Sequence, residues 1–331
     1  MSTEPSNMTS ATPEGIFALD ITLGVSYLIC SLIGVTGNIV SGLYFWDGRC
    51  ELSSIYLCLY RCITALDCAV SAMIIPCAVA FLKERRYWLL ENPLFCQWYG
   101  QIWDFISRLS VFLVVEMTLI RAVVIARPFY RVNKTALFTF NVCFVTFGAS
   151  CYAYLAETGR LLVRLNFLHE TCVTYLHVPA PAFYSFILLF YFLPFFTVIV
   201  SCVVSVTTLL LKRLSRTNKV QVQVGKRQNP YRTASWTVVL FGVMYVVINT
   251  PYTLYLVFLA VKGVSQVLVS PIVNAYVFHY CYCTSVIVNS ALNPILYGWR
   301  MKGLRRFVVT FREDVVRSLS RSGDRELQGR Y

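Results

Sequence analysis

Seven blocks of apolar residues, each long enough to cross a lipid bilayer, leave this chain few other ways to fold. They fall at about 17–46, 53–82, 96–125, 136–156, 180–211, 234–261 and 270–299, and a spanning helix needs about 20 such residues. The 331 residues are 57% hydrophobic and 14% charged, where a soluble domain carries about a quarter charged residues. Several blocks contain Pro or Gly, which a membrane helix tolerates when its neighbours re-satisfy the freed backbone groups. No internal repeat is visible. The expected fold is all-α: a seven-transmembrane helix bundle over 17–299, with a polar tail 1–16 before it. A short amphipathic helix 300–318 and a tail 319–331 follow.

The net charge of +13 acquires meaning from its placement. With the N-terminus outside and the spans alternating, most of the 29 Lys and Arg fall on inner segments, as the positive-inside rule requires. Asn7-Met8-Thr9 is a glycosylation sequon on the outer tail, whereas Asn133-Lys134-Thr135 matches the pattern on the inner side and is read as chance. The basic excess reports topology and contact with anionic lipid, and does not argue for nucleic acid. Met1–Gly15 is polar, so the first span is expected to act as its own insertion signal. Most of the 13 cysteines lie within spans, where they behave as small apolar residues. Cys96 and Cys172 lie on the outer, oxidising face, where a bridge between them is expected.

Asn293-Pro294-Ile295-Leu296-Tyr297 closes the last block. Proline removes one helix hydrogen bond and loosens the preceding turn, while Asn and Tyr bring polar groups where lipid offers no partner. The pentapeptide therefore reads as a polar hinge near the inner end of a spanning helix. Together with seven spans, outer Cys96 and Cys172 and a basic helix after it, it resembles the rhodopsin-like G-protein-coupled receptors, over about residues 20 to 318. Gly37-Asn38, Leu66-Asp67, Pro194 and Pro251 match that family's marks in the first, second, fifth and sixth spans. Arg121 stands at the family's spacing after Cys96 and before Pro128.

The resemblance implies roles for these residues. Asn289, Ser290 and Asn293 share one face of the last helix at i, i+1 and i+4. With Asp67, Ser110 and Asn38 they would form a sodium pocket that favours the inactive state. The alternative is a purely structural hydrogen-bond network around a buried acid. Arg121 would contact the C-terminal helix of a heterotrimeric G protein when the sixth span swings out, and Tyr297 would rotate inward to support that state. The alternative for Arg121 is an interfacial anchor whose head snorkels to water. Ile120 and Ala122 stand where the family carries an acid and an aromatic, Asn249 where it carries a tryptophan, and Cys202 where a tyrosine is common. The fourth span lacks the usual tryptophan.

Lys212, Arg213, Arg216, Lys219, Lys226, Arg227 and Arg232 make the third inner loop short and basic. After Trp299, Leu304, Phe307, Val308, Phe311 and Val315 recur at helical spacing beside Arg305, Arg306 and Arg312, the pattern of an interfacial helix. No cysteine follows it to carry a palmitoyl anchor. Ser318, Ser320 and Ser322 are candidate sites for receptor kinases, and through them for arrestin, though a charged tail contains serines in any case.

Ligand chemistry is less legible. Trp103 stands where amine receptors carry an aspartate, and Ile287 where an opsin carries its retinal lysine, so neither a biogenic amine nor retinal is expected. Asp104 and Arg108 are spaced to satisfy each other, or to face a zwitterionic or peptide ligand. Trp103, Ser107, Tyr252, Tyr255, His279 and Cys283 share the same cavity by helix phase, His279 as a hydrogen-bonding rim residue rather than a metal ligand. Pro76 resembles a bend frequent in peptide receptors.

The expected function is a plasma-membrane receptor for an extracellular ligand that activates heterotrimeric G proteins. A chemosensory receptor for odorants or metabolites is the alternative on the same fold. A transporter or channel would bring inverted repeats and paired broken helices. An enzyme would bring His-Glu-x-x-His, Gly-x-Ser-x-Gly or paired acids. None is found. Loss of the acid before Arg121 predicts raised ligand-free signalling, so Ile120→Asp lowers basal G-protein activation in a cell reporter; an unchanged basal signal contradicts that account.

Overall fold

The computed structural model describes residues 13–47, 50, 52–82, 93–127, 132–163, 185–217, 230–262, 281, 283–311 and 313. These are helical with short joints, and no strand occurs among them. The helices are α1 (Pro13–Trp46), α2 (Ser54–Leu82), α3 (Pro93–Ala126), α4 (Lys134–Val163), α5 (Leu193–Thr217), α6 (Pro230–Lys262) and α7 (Thr284–Arg300). A π-turn, Leu188–Phe192, runs into α5, and residues 302–311 form a short helix after α7, here α8.

Six stretches are long and apolar enough to cross a bilayer: Ile21–Trp46, Ser54–Val79, Gln101–Ala126, Lys134–Tyr154, Ser185–Leu211 and Val239–Phe258. This is the make-up of a multi-pass membrane protein. α7 has 17 residues, and most of the expected span before it, 270–280, lies outside the described residues, as do Asn7, Pro128, Cys172, His279, Ser318, Ser320 and Ser322. The side chain of Cys96 is likewise outside them. Lys212, Arg213 and Arg216 ride on the end of α5 and Arg232 on the start of α6, while Lys219, Lys226 and Arg227 of the expected basic loop lie outside the described residues.

Bilayer physics explains the surface. Leu32, Phe138, Phe147, Val200 and Leu254 are among many large apolar side chains on the outside, a distribution that would make a soluble protein associate. Exposed threonines turn inward on their own helices: Thr22, Thr36, Thr146, Thr197 and Thr208 each donate to the carbonyl four residues back. Lipid offers these hydroxyls no acceptor, and the preceding turn does.

α3 is the hub. Of its most apolar stretch 67% is buried, against 11% for α4, and it packs on α2, α4, α5 and α6. One buried cluster, with Tyr27, Trp103, Tyr152, Tyr191 and Tyr252, lies at the end where α1 begins. A second, with Tyr44, Phe45, Tyr60, Met117, Phe241 and Tyr297, lies where α1 ends. α1 sits tightly on α2 and α7 because two glycines permit it: a Cβ on Gly34 would strike the Ser71 side chain, and one on Gly37 would come within 2.7 Å of Pro294. α7 stops at Met301, whose extended backbone (φ −96, ψ 102) lets the chain turn into α8.

Overpacking a tight interface costs about 1–3 kcal/mol. Gly34→Ala is expected to lower the melting temperature in detergent by several degrees. Gly298→Ala, where an added Cβ meets nothing within 4 Å, is expected to leave it near wild type.

Candidate functional site

The most connected polar group is the carboxylate of Asp67 on α2, fully buried. Its Oδ1 accepts from Ser110 Oγ on α3 at 2.6 Å and from Ser290 Oγ on α7 at 3.2 Å. Its Oδ2 accepts from Asn293 Nδ2 at 2.6 Å. Asn38 on α1 donates to the Ser290 carbonyl at 3.0 Å and to the Gly34 carbonyl at 2.8 Å. Three helices are thereby joined through one acid, and α1 joins them through the Ser290 carbonyl. Asn289 is half-buried and does not join the carboxylate: positions one apart on a helix point about 100° apart, and here Ser290 faces inward.

The donor set suits a hard monovalent cation. Carboxylate, hydroxyl and amide oxygens are the ligands such ions prefer, and Asn38 Oδ1 is buried without a hydrogen-bond partner. Among the described residues no group of three or more His, Cys, Asp or Glu side chains could hold a metal. Asp67 is therefore a lone carboxylate, met by two neutral hydroxyls and one amide nitrogen.

A second group of predicted residues meets at the other cluster. Arg121 lies inside the bundle, 7% exposed, with its guanidinium 5.3 Å from the Tyr56 ring centroid. A snorkelling anchor would instead keep its head in water. Tyr297 is 1% exposed and packs edge-on against Phe45 and Tyr60, at 5.5 and 5.2 Å, and 5.2 Å from Phe241. Ile120 and Ala122 are buried beside Arg121, so its neighbours in the chain are apolar. On α6, Pro251 removes one helix hydrogen bond, and the turn before it is bridged by side chains. Asn249 Nδ2 donates to the Tyr245 carbonyl at 2.8 Å and Thr250 Oγ1 to the Val246 carbonyl at 2.7 Å.

The Asp104–Arg108 pair is the third group, and it is turned on itself. Arg108 Nε lies 3.2 Å from Asp104 Oδ1, with both side chains buried. Asp104 Oδ2 accepts from Tyr152 on α4 at 2.6 Å and from Tyr191 in the π-turn at 2.9 Å. The guanidinium stacks 4.1 Å over the Tyr191 ring, and Tyr191 touches Tyr252 at 5.5 Å. Of the other predicted pocket residues, Trp103 donates to the Val70 carbonyl at 3.3 Å and Ser107 to the Trp103 carbonyl at 2.7 Å. Cys283 is buried and Tyr255 half-buried.

Sequence reasoning did not single out Tyr152 and Tyr191, nor the buried Glu116, whose Oε1 accepts from Asn141 on α4 at 3.0 Å. A usable signal existed. A buried Asp has more lone pairs than one arginine fills, and tyrosines in neighbouring spans are natural donors. No family model and no curated protein matches this chain.

Removing one partner of a buried ion pair costs about 3–5 kcal/mol because the other charge is stranded. Asp104→Ala is therefore expected to unfold the protein far more readily than Tyr152→Phe, which removes one hydrogen bond worth about 1–3 kcal/mol. The double change Asp104→Ala with Arg108→Leu is expected to recover part of the loss. Melting curves in lipid nanodiscs check this, and additive single and double effects contradict it.

Proposed function

We propose that this chain is a plasma-membrane receptor of the rhodopsin-like, G-protein-coupled kind, with seven spans, an outer N-terminus and α8 on the cytoplasmic face. The observation that carries the reading is the Asp67 knot. One acid collects Ser110 of α3 and Ser290 and Asn293 of α7, while Arg121 and Tyr297 of those same two helices are buried toward the α1-terminal end. Ligand at the opposite end shifts the population toward a state in which the inner ends of the helices part. In that state Arg121 leaves Tyr56 for the G protein, and Tyr297 leaves its aromatic nest. Asp67, Ser110 and Ser290 would hold a sodium ion, whose charge would balance the carboxylate in the closed state.

Two of the sequence's own departures fit this mechanism. With Ile120 in place of an acid, Arg121 in the closed state sits over the Tyr56 ring, beside an apolar neighbour in the chain. With Asn249 in place of tryptophan, the turn before Pro251 is held by an amide rather than by a large ring. The Asp104 carboxylate, already met by Arg108, Tyr152 and Tyr191, favours the small-molecule alternative over a zwitterion or peptide. The ligand faced by Trp103, Tyr252 and Tyr255 is then an aromatic or weakly polar compound, as in a chemosensory receptor. The Cys96–Cys172 bridge, glycosylation at Asn7, and kinase and arrestin contacts at the tail belong to the same proposal.

The test is a panel of G-protein biosensors in cells expressing the full chain at a verified surface level. Wild type is expected to raise nucleotide exchange for at least one G protein, alone or on addition of a metabolite library, and Arg121→Ala to reduce it to the level of untransfected cells. Absence of any response across all G proteins, with substrate flux in proteoliposomes, would replace this reading with that of a transporter.

A further inference from the structure

α1, α7 and α8 flank an open groove of about 550 Å³. Its walls include Val40 of α1, Pro294 of α7 and Val308 of α8, and its floor is kept low by Gly298. A Cβ on Gly298 would meet no atom within 4 Å, so the glycine faces open space rather than a neighbour. Val308 is 43% and the adjacent Val309 58% exposed, which leaves the groove open on the outside of the bundle.

Arg305 is the single charged residue in this lining. Its side chain is exposed, and it makes no ion pair or side-chain hydrogen bond among the described residues. Lys302 and Arg306, also exposed, flank it on the same short helix. An apolar channel with an exposed guanidinium beside it complements one class of molecule in a bilayer. The walls take an acyl chain, and the guanidinium takes a phosphate in its two-pronged fashion. A zwitterionic lipid offers the same phosphate, but the ammonium beside it offsets the charge that the arginine meets. An anionic one meets the arginine without that offset, with the surface potential of its leaflet adding to the attraction.

We propose that this groove is a binding site for an anionic phospholipid of the surrounding bilayer, with one acyl chain between α1 and α8 and the headgroup phosphate on Arg305. The inference needs α8 to lie at the membrane surface and is independent of any G-protein activity. It makes the lipid a third wall between α1 and α8, and so a determinant of where α8 sits.

The experiment is native mass spectrometry of the delipidated full chain titrated with phosphatidylserine and, separately, phosphatidylcholine. Wild type is expected to retain phosphatidylserine preferentially. Arg305→Gln weakens that retention by about fivefold, the effect of one basic residue at a charged membrane surface, and weakens retention of phosphatidylcholine less. Gly298→Leu fills the floor and reduces retention of both lipids. Arg305 is exposed, so its variant carries the charge test even where Gly298→Leu fails to fold. Equal retention of the two lipids by wild type, or wild-type retention of phosphatidylserine by Arg305→Gln, overturns the proposal. A change in dimer fraction on Gly298→Leu without change in bound lipid assigns the groove to a second copy of the chain, and overturns it too.

Discussion

A carboxylate within an apolar helix bundle has to be surrounded by donors, because lipid supplies none and the alternative is a large desolvation cost. Asp67 meets that requirement by drawing on α3 and α7 at once, with Asn38 of α1 bound to the same turn of α7. Much of the packing described above is arranged around this demand. Gly34 and Gly37 bring α1 close enough for Asn38 to reach Ser290, and Pro294 leaves α7 a loosened turn beside Asn293. Glycine, proline and asparagine, each unfavourable in an ordinary helix interior, are used here where the acid needs helices near.

The two buried acids of α3 follow the same rule with different outcomes. Asp104 has a cation on its own helix and two tyrosine hydroxyls from its neighbours, an arrangement that fixes how α3, α4 and the π-turn meet. Such pairs contribute little net stability beside a well-packed apolar substitute. Their effect is to make alternative helix registers expensive. Glu116 has only the Asn141 amide on one oxygen, while its Oε2 is buried without a hydrogen-bond partner, and α4 is correspondingly the least buried span.

The all-helical make-up, six of the seven expected spans and the Ser110, Ser290 and Asn293 partners of Asp67 were legible in the sequence because they rest on length, hydropathy and 3.6-residue phase. Ser110 is one helix away from Asp67 and still identifiable, since a polar residue on the buried face of a long apolar helix stands out. Asn289 shows the resolution of such reasoning: adjacent polar positions on one helix were both assigned inward, and only Ser290 turns there. Tyr152 and Tyr191 were missed for another reason. Tyrosine is common throughout these spans, so its presence carries little signal, and the phase of Tyr191 depends on a turn that periodicity does not anticipate. Trp103 was assigned to a cavity by phase, yet its ring nitrogen reaches back to α2.

The π-turn at Leu188–Phe192 has a consequence for how this chain lines up with any other. A π-turn is what an α-helix becomes when it accommodates one additional residue, which here buries Phe190 and Tyr191 side by side. Residues before Leu188 and residues after Phe192 therefore count from different origins. A relative with an uninterrupted fifth helix would match this chain only through a one-residue gap at that point. Read without the gap, every position on one side of it would be equated with one pointing about 100° away around the helix.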